Sequence, residues 1–113
     1  MIDKNIIREN LKYYDKSVVL EIIELFISEY PVRFEALQKS IDKLDFTGID
    51  HNSHSLKGIV AYLSPDIFEL ARKLEQLGKQ GSSEGLQKVF DELKAATLEL
   101  VKTLEEMSGE YKN

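Results

Sequence analysis

The sequence predicts an all-α fold: an up-down antiparallel four-helix bundle with a short additional N-terminal helix. Three observations lead there. Apolar residues recur at spacings of three and four along nearly the whole chain, which is the repeat of one helix face. No stretch alternates apolar and polar residues as a half-buried strand does. The breaks between periodic runs are short and carry helix-capping residues, so successive helices must fold back on one another. The 113 residues are enough for one core, and a single domain over 1–113 is expected.

Ile2, Ile6, Ile7, Leu11 and Tyr14 mark a short helix over residues 2–14, too short to stand alone and expected to pack across the bundle. Asp15-Lys16-Ser17 breaks the pattern, with Ser17 the expected N-cap. The longest run, about 18–44, places Val19, Ile22, Ile23, Phe26, Tyr30, Phe34, Leu37, Ile41 and Leu44 on one seam. Pro31 lies inside it and crowds the carbonyl of Ile27, so a kink is expected there. The apolar phase continues across Pro31, which favours one bent helix over two. Asp45 is the expected N-cap of a third helix over about 46–63.

Ser64-Pro65-Asp66 is the clearest helix start in the chain: a capping serine, proline at the first helical position and an acid in the first turn. The helix that follows, 65–80, carries Ile67, Leu70, Ala71, Leu74, Leu77 and Gly78, and Gly81 ends it. Ser82-Ser83 caps a last helix over 83–107, with Leu86, Val89, Phe90, Leu93, Thr97, Leu100, Leu104 and Met107 on its seam. Ser108-Gly109 closes it, and Glu110 to Asn113 are expected to fray.

Composition removes several classes of function. Without cysteine there is no disulfide framework, thiolate nucleophile or Cys-based zinc site. No apolar run is long enough to span a membrane, and the first residues lack the layout of a signal peptide, so a cytoplasmic protein is expected. A formal net charge of -5 argues against nucleic-acid binding. With its seams satisfied internally, the bundle is expected to be a monomer.

Chemistry concentrates in His51-Asn52-Ser53-His54-Ser55-Leu56-Lys57-Gly58. At about 100° per residue, Ile49, Ser53, Leu56, Val60 and Leu63 fall in one core-facing stripe. His54 lies roughly opposite that stripe, with Lys57, Gly58 and Ala61 three, four and seven positions on. One imidazole, one ammonium and a bare patch of small residues thus share a face. Gly58, mid-helix, is unfavourable by about 1 kcal/mol relative to alanine, which points to something approaching the backbone there.

The pattern His54-Ser55-Leu56-Lys57-Gly58, followed by Ala61 and Leu63, resembles the histidine-containing phosphotransfer (HPt) domain family. The resemblance covers roughly residues 15–107. It departs from the commonest form in having Ser53 where alanine is usual and Ser64 where glycine is usual. It implies a phosphorelay intermediate of two-component signal transduction, a phosphoprotein that becomes a phosphohistidine at His54. Phosphate would come from a receiver-domain aspartate or a hybrid sensor histidine kinase and pass to another receiver. Such a chain is a phosphocarrier and not an enzyme. It binds no cofactor itself, and the receiver is expected to supply Mg2+.

The chemistry fits the residue types. A free imidazole, with a pKa of about 6.5, is mostly neutral at physiological pH and can attack phosphorus in line. Lys57 is expected to hold positive charge against the phosphoryl oxygens. Reflecting residue 54 through the turn at 65 places Gln76 level with it, and relatives in the family often have a glutamine there, hydrogen-bonded near the histidine. His51, three residues before His54, is expected at the edge of the docking surface; two histidines without a third ligand make no metal site. Gly58 and Ala61 allow close approach of the partner. Ile6, Ile7, Leu11 and Tyr62 are docking candidates, and the isoleucines read equally well as core. Two alternatives compete: a non-phosphorylated helical module that binds receivers, and a helical phosphatase using Gln76. The intact His54–Lys57 pair argues against both.

Overall fold

The computed structural model describes residues 2–112. Its helices are α1 (Lys4–Leu11), α2 (Lys16–Asp42), α3 (Phe46–Val60), α4 (Pro65–Gln80) and α5 (Leu86–Met107), followed by a 3₁₀ turn at Ser108–Tyr111. No strand occurs among the described residues. α2 packs on α3, α3 on α4 and α4 on α5, and α5 returns to α2. At about 1.5 Å per residue, the 27 residues of α2 span about 40 Å, close to the 46 Å long dimension of the molecule. α3 and α5 both pack against α2.

The core is the expected set of seams. Ile23, Phe26, Phe34, Leu37, Ile49, Leu56, Val60, Ile67, Leu74, Phe90, Leu93, Leu100 and Leu104 are all buried. Phe26, Tyr30, Phe34 and Phe90 form an aromatic chain from α2 to α5, with successive ring centroids 5.8–6.1 Å apart. α2 runs through Pro31 without a break, and Pro31 itself is exposed.

Helix ends depart from the sequence reading in six places. α1 stops at Leu11 instead of Tyr14, and Asp3 caps its start by accepting from the Asn5 amide at 2.9 Å. α2 begins at Lys16, so Asp15 and not Ser17 precedes it. It ends at Asp42 because Leu44 takes a left-handed φ of 50°, with the Asp45 amide reaching the Ser40 carbonyl at 2.8 Å. Leu44 is consequently half exposed and not a seam residue. α3 ends at Val60, three residues early, because Ser64 must be extended (φ -157°) to cap α4, as a residue before proline favours.

α5 begins at Leu86, since Gly85 at φ 73° cannot be helical. Nor does the tail fray as far as it is described. Glu110 accepts from Arg8 Nε at 2.9 Å and from Nη2 at 2.8 Å, tying the 3₁₀ turn to α1. Lys4 and Glu106 add a second tie. Met1, and the fraying expected of Asn113, lie outside the described residues.

Candidate functional site

The site begins with how closely α3 and α4 approach. Ser64 and Pro65 start α4 directly after the α3 turn; the Ser64 hydroxyl accepts from the Ile67 amide at 3.2 Å. Gly78 then allows contact without an intervening side chain. A Cβ built there would lie 2.7 Å from the Asp50 amide nitrogen and 3.0 Å from the Phe46 carbonyl oxygen. One turn back along α4, this places Glu75 directly beneath His54 and Lys57.

Glu75 is the residue that organises the site. Its side chain is only 4% exposed, and one carboxylate oxygen, Oε2, lies 2.5 Å from His54 Nδ1. The other, Oε1, accepts from Lys57 Nζ at 2.9 Å. Burial pushes the Glu75 carboxyl up, but the hydrogen bonds from Lys57 and His54, with the nearby charges of Lys57 and Lys79, hold it below the usual glutamate range. Glu75 is therefore a carboxylate at neutral pH. A carboxylate can only accept, so His54 Nδ1 carries the proton and donates it. In the neutral ring Nε2 then keeps the lone pair, and the imidazole side chain is 69% exposed.

Lys57 faces the same carboxylate. Its ammonium is not free above the helix but turned down onto Glu75, with the side chain 22% exposed and Nζ 5.9 Å from the centre of the Phe68 ring. The charge stays one turn from His54 while holding Glu75 ionised and in place.

Gln76 is exposed, and no hydrogen bond links it to His54. The true register pairs residue 54 with 75, one position earlier than reflection about 65 suggests. A signal for Glu75 was present: with Ile67 and Ala71 it forms an i, i+4, i+8 row along the apolar face of α4, and all three are buried. An acid in a seam opposite a His–Lys pair is the pattern that the hairpin argument passed over.

Gly58 is exposed, and a Cβ built on it would meet nothing within 4 Å. No contact inside the chain requires glycine there. Ala61, Tyr62 and His51 are exposed on the same helix and its turn, and Ile6 is partly exposed. Ile7 (0% exposed) and Leu11 (2%) are core residues, Leu11 forming part of the floor of the cleft beside Gly58. Beside Gly58 a cleft of about 250 Å³ opens between α2 and α3, lined by Leu25, Phe26, Tyr30, Ile59, Tyr62 and others. Tyr14, read from the sequence only as a residue of the first helix, and Leu25, not singled out there, line it and are about half exposed. Among the described residues, no three His, Asp or Glu side chains converge as a metal site.

The family model for the Hpt domain matches residues 21–108, well over half of the chain. The chain belongs to the Hpt domain family. Hpt domains are phosphotransfer modules of two-component phosphorelays, which interact with receiver domains and kinases and act as carriers rather than catalysts. No curated protein and no solved structure gives a significant match. The matched span of this Hpt domain begins inside α2, so α1 lies outside it. No helix among the described residues is long and apolar enough to cross a membrane.

Proposed function

We propose that His54 is the phosphoacceptor of a cytoplasmic phosphorelay, taking phosphate from a receiver aspartyl phosphate or a kinase and passing it to another receiver. One observation carries this reading: an exposed imidazole whose Nδ1 is held by a buried carboxylate. In the transfer, the Nε2 lone pair forms a P–N bond as the P–O bond to the aspartyl carboxylate breaks, and the aspartate leaves as a carboxylate. The ring gains positive charge while its Nδ1 proton stays in the hydrogen bond to Glu75. Glu75 thus stabilises charge that develops only during the reaction.

Lys57 supports this chemistry through Glu75, and Gly58 and Ala61 leave room for a receiver to close over Nε2. The magnesium ion would be the receiver's. The contacts of α2 with α3, α3 with α4, and α4 with α5 support an up-down antiparallel four-helix arrangement acting as one HPt unit and as a monomer. Incubation with a phosphorylated receiver tests the reading. Acid-labile, base-stable label on the wild-type chain and none on His54→Gln is the expected result. Label retained by His54→Gln would move the site, with His51 the next suspect. Receiver binding without label on either chain would make the protein an interaction module.

A further inference from the structure

Lys57 is not the only cation at Glu75. Arg72 stands three residues before Glu75 on α4 and Lys79 four residues after it, each on the neighbouring turn. Phe68, Arg72 and Glu75 are spaced i, i+4 and i+7 and so form one row along the helix. Lys57 Nζ spans that row, 2.9 Å from Glu75 Oε1 and 5.9 Å from the centre of the Phe68 ring. Arg72 lies between the two residues that Lys57 touches. It is therefore beside Lys57, with His54 one turn away along α3.

The guanidinium of Arg72 is held loosely. Its Nε and Nη2 both approach Glu69 Oε2, at 3.0 and 2.9 Å, and the two side chains are 40% and 54% exposed. Such a surface pair contributes little to stability, because water competes for both partners. Beyond this hydrogen bond and the charge of Glu69, the charge of Glu75 also acts on Arg72.

Phosphate on His54 would change the balance. A phosphoryl group carries about two negative charges at neutral pH, and here it would stand beside Glu75, already a carboxylate. The Lys57 ammonium is hydrogen-bonded to that carboxylate. A guanidinium presents a planar fork that fits two phosphoryl oxygens, and Arg72 brings one to the same row.

We propose that Arg72 is a phosphoryl-binding residue that Glu69 holds in reserve. When phosphate reaches His54 Nε2, the guanidinium leaves Glu69 and donates to two phosphoryl oxygens, and Glu69 turns to solvent. The contact exists only in the phosphorylated chain, so it draws phosphate from the receiver toward His54. Lys79, a point charge, cannot make the forked contact. This inference rests on the relay reading of His54.

The test mixes the purified full chain with a receiver domain that carries label from acetyl phosphate and has been freed of excess donor. Wild type, Arg72→Gln, Glu69→Gln, Lys79→Gln and the Glu69→Gln/Arg72→Gln double variant are compared, with circular dichroism confirming the fold. The readout is the steady ratio of label on His54 to label on the receiver. Arg72→Gln lowers it about fivefold, and Glu69→Gln raises it about twofold by releasing the guanidinium. The double variant matches Arg72→Gln, because Glu69 acts only through Arg72. Nitrogen NMR shows the Arg72 Nε–H resonance moving when the wild type is phosphorylated, and staying in place in His54→Gln treated alike. An unchanged ratio in Arg72→Gln, or an Arg72 resonance that stays in place in the phosphorylated wild type, overturns the inference. So does a ratio that falls in Lys79→Gln and not in Arg72→Gln. If no receiver labels His54, the relay reading fails first and this inference falls with it. Label on His54 with Arg72 indifferent removes this inference alone.

Discussion

Replacing Glu75 separates the structural from the chemical role of the buried carboxylate. Glu75 accepts two charge-assisted hydrogen bonds, a kind of interaction that contributes about 1.5–3 kcal/mol each when shielded from water. Here both donors can reach solvent, Lys57 in part and His54 largely, so each bond belongs at or below the low end of that range. Glu75→Ala, which also leaves a gap beneath α3, is expected to cost about 2–3 kcal/mol. Glu75→Gln keeps the shape and an acceptor for His54 but offers Lys57 a neutral amide, and is expected to cost about 1–2 kcal/mol.

Domains of this size are stable by about 5–15 kcal/mol, so Glu75→Gln should remain folded and its phosphotransfer can be measured. Urea denaturation at neutral pH reads the first quantity as a lower midpoint at unchanged slope. Quenched transfer from a phosphorylated receiver reads the second. If the carboxylate steadies the charge growing on the ring by about 1.4 kcal/mol more than the amide does, transfer slows about tenfold. Nitrogen NMR of the imidazole should show the proton on Nδ1 in the wild type. The reasoning is refuted if Glu75→Gln unfolds at the wild-type midpoint and transfers at the wild-type rate, or if the wild-type proton sits on Nε2.

Glycine-to-alanine changes should have opposite signs at two positions. Gly58→Ala, with open space around its Cβ, gains about 1 kcal/mol of helix stability, while a bulky Gly58→Phe blocks transfer without unfolding the chain. Gly78→Ala forces a Cβ against the backbone of α3 and loses about 1–3 kcal/mol; urea midpoints check both. Ser53→Ala removes a hydroxyl that is buried without a partner among the described residues and raises stability by about 1 kcal/mol, also read from the urea midpoint. The stability gap between wild type and Glu75→Gln is the readout for pH. Because the Glu75 carboxyl is held below its ordinary value of 4.5, its contribution is fully present above that value and lost as pH falls through the lowered one. The gap therefore narrows in acid, as pH falls below about 4.5 and the carboxylate takes up its proton.

The sequence alone determined the helices, because apolar spacing, capping serines and acids, and Pro65 are local signals read within one or two turns. It determined equally that His54 faces away from the core and that Gly58 leaves bare backbone beside it, since both follow from the period of a single helix. Helix ends were legible to within a few residues. Three of the misses fell at Leu44, Ser64 and Gly85, where backbone angles set by the turn overrode the apolar phase.

What only the tertiary structure decided is the partner of each side chain. Reflection through a turn gives a level to within about one residue, and on a helix one residue is a rotation of about 100°. That difference turns exposed Gln76 into buried Glu75. It ties Lys57 to a carboxylate, and it determines which imidazole nitrogen is left to react. Ile7 and Leu11 became core, and Tyr14, Leu25 and Arg33 came to line a cleft, for the same reason. A helix's period says which residues share a face, but only packing against its neighbours says what that face meets.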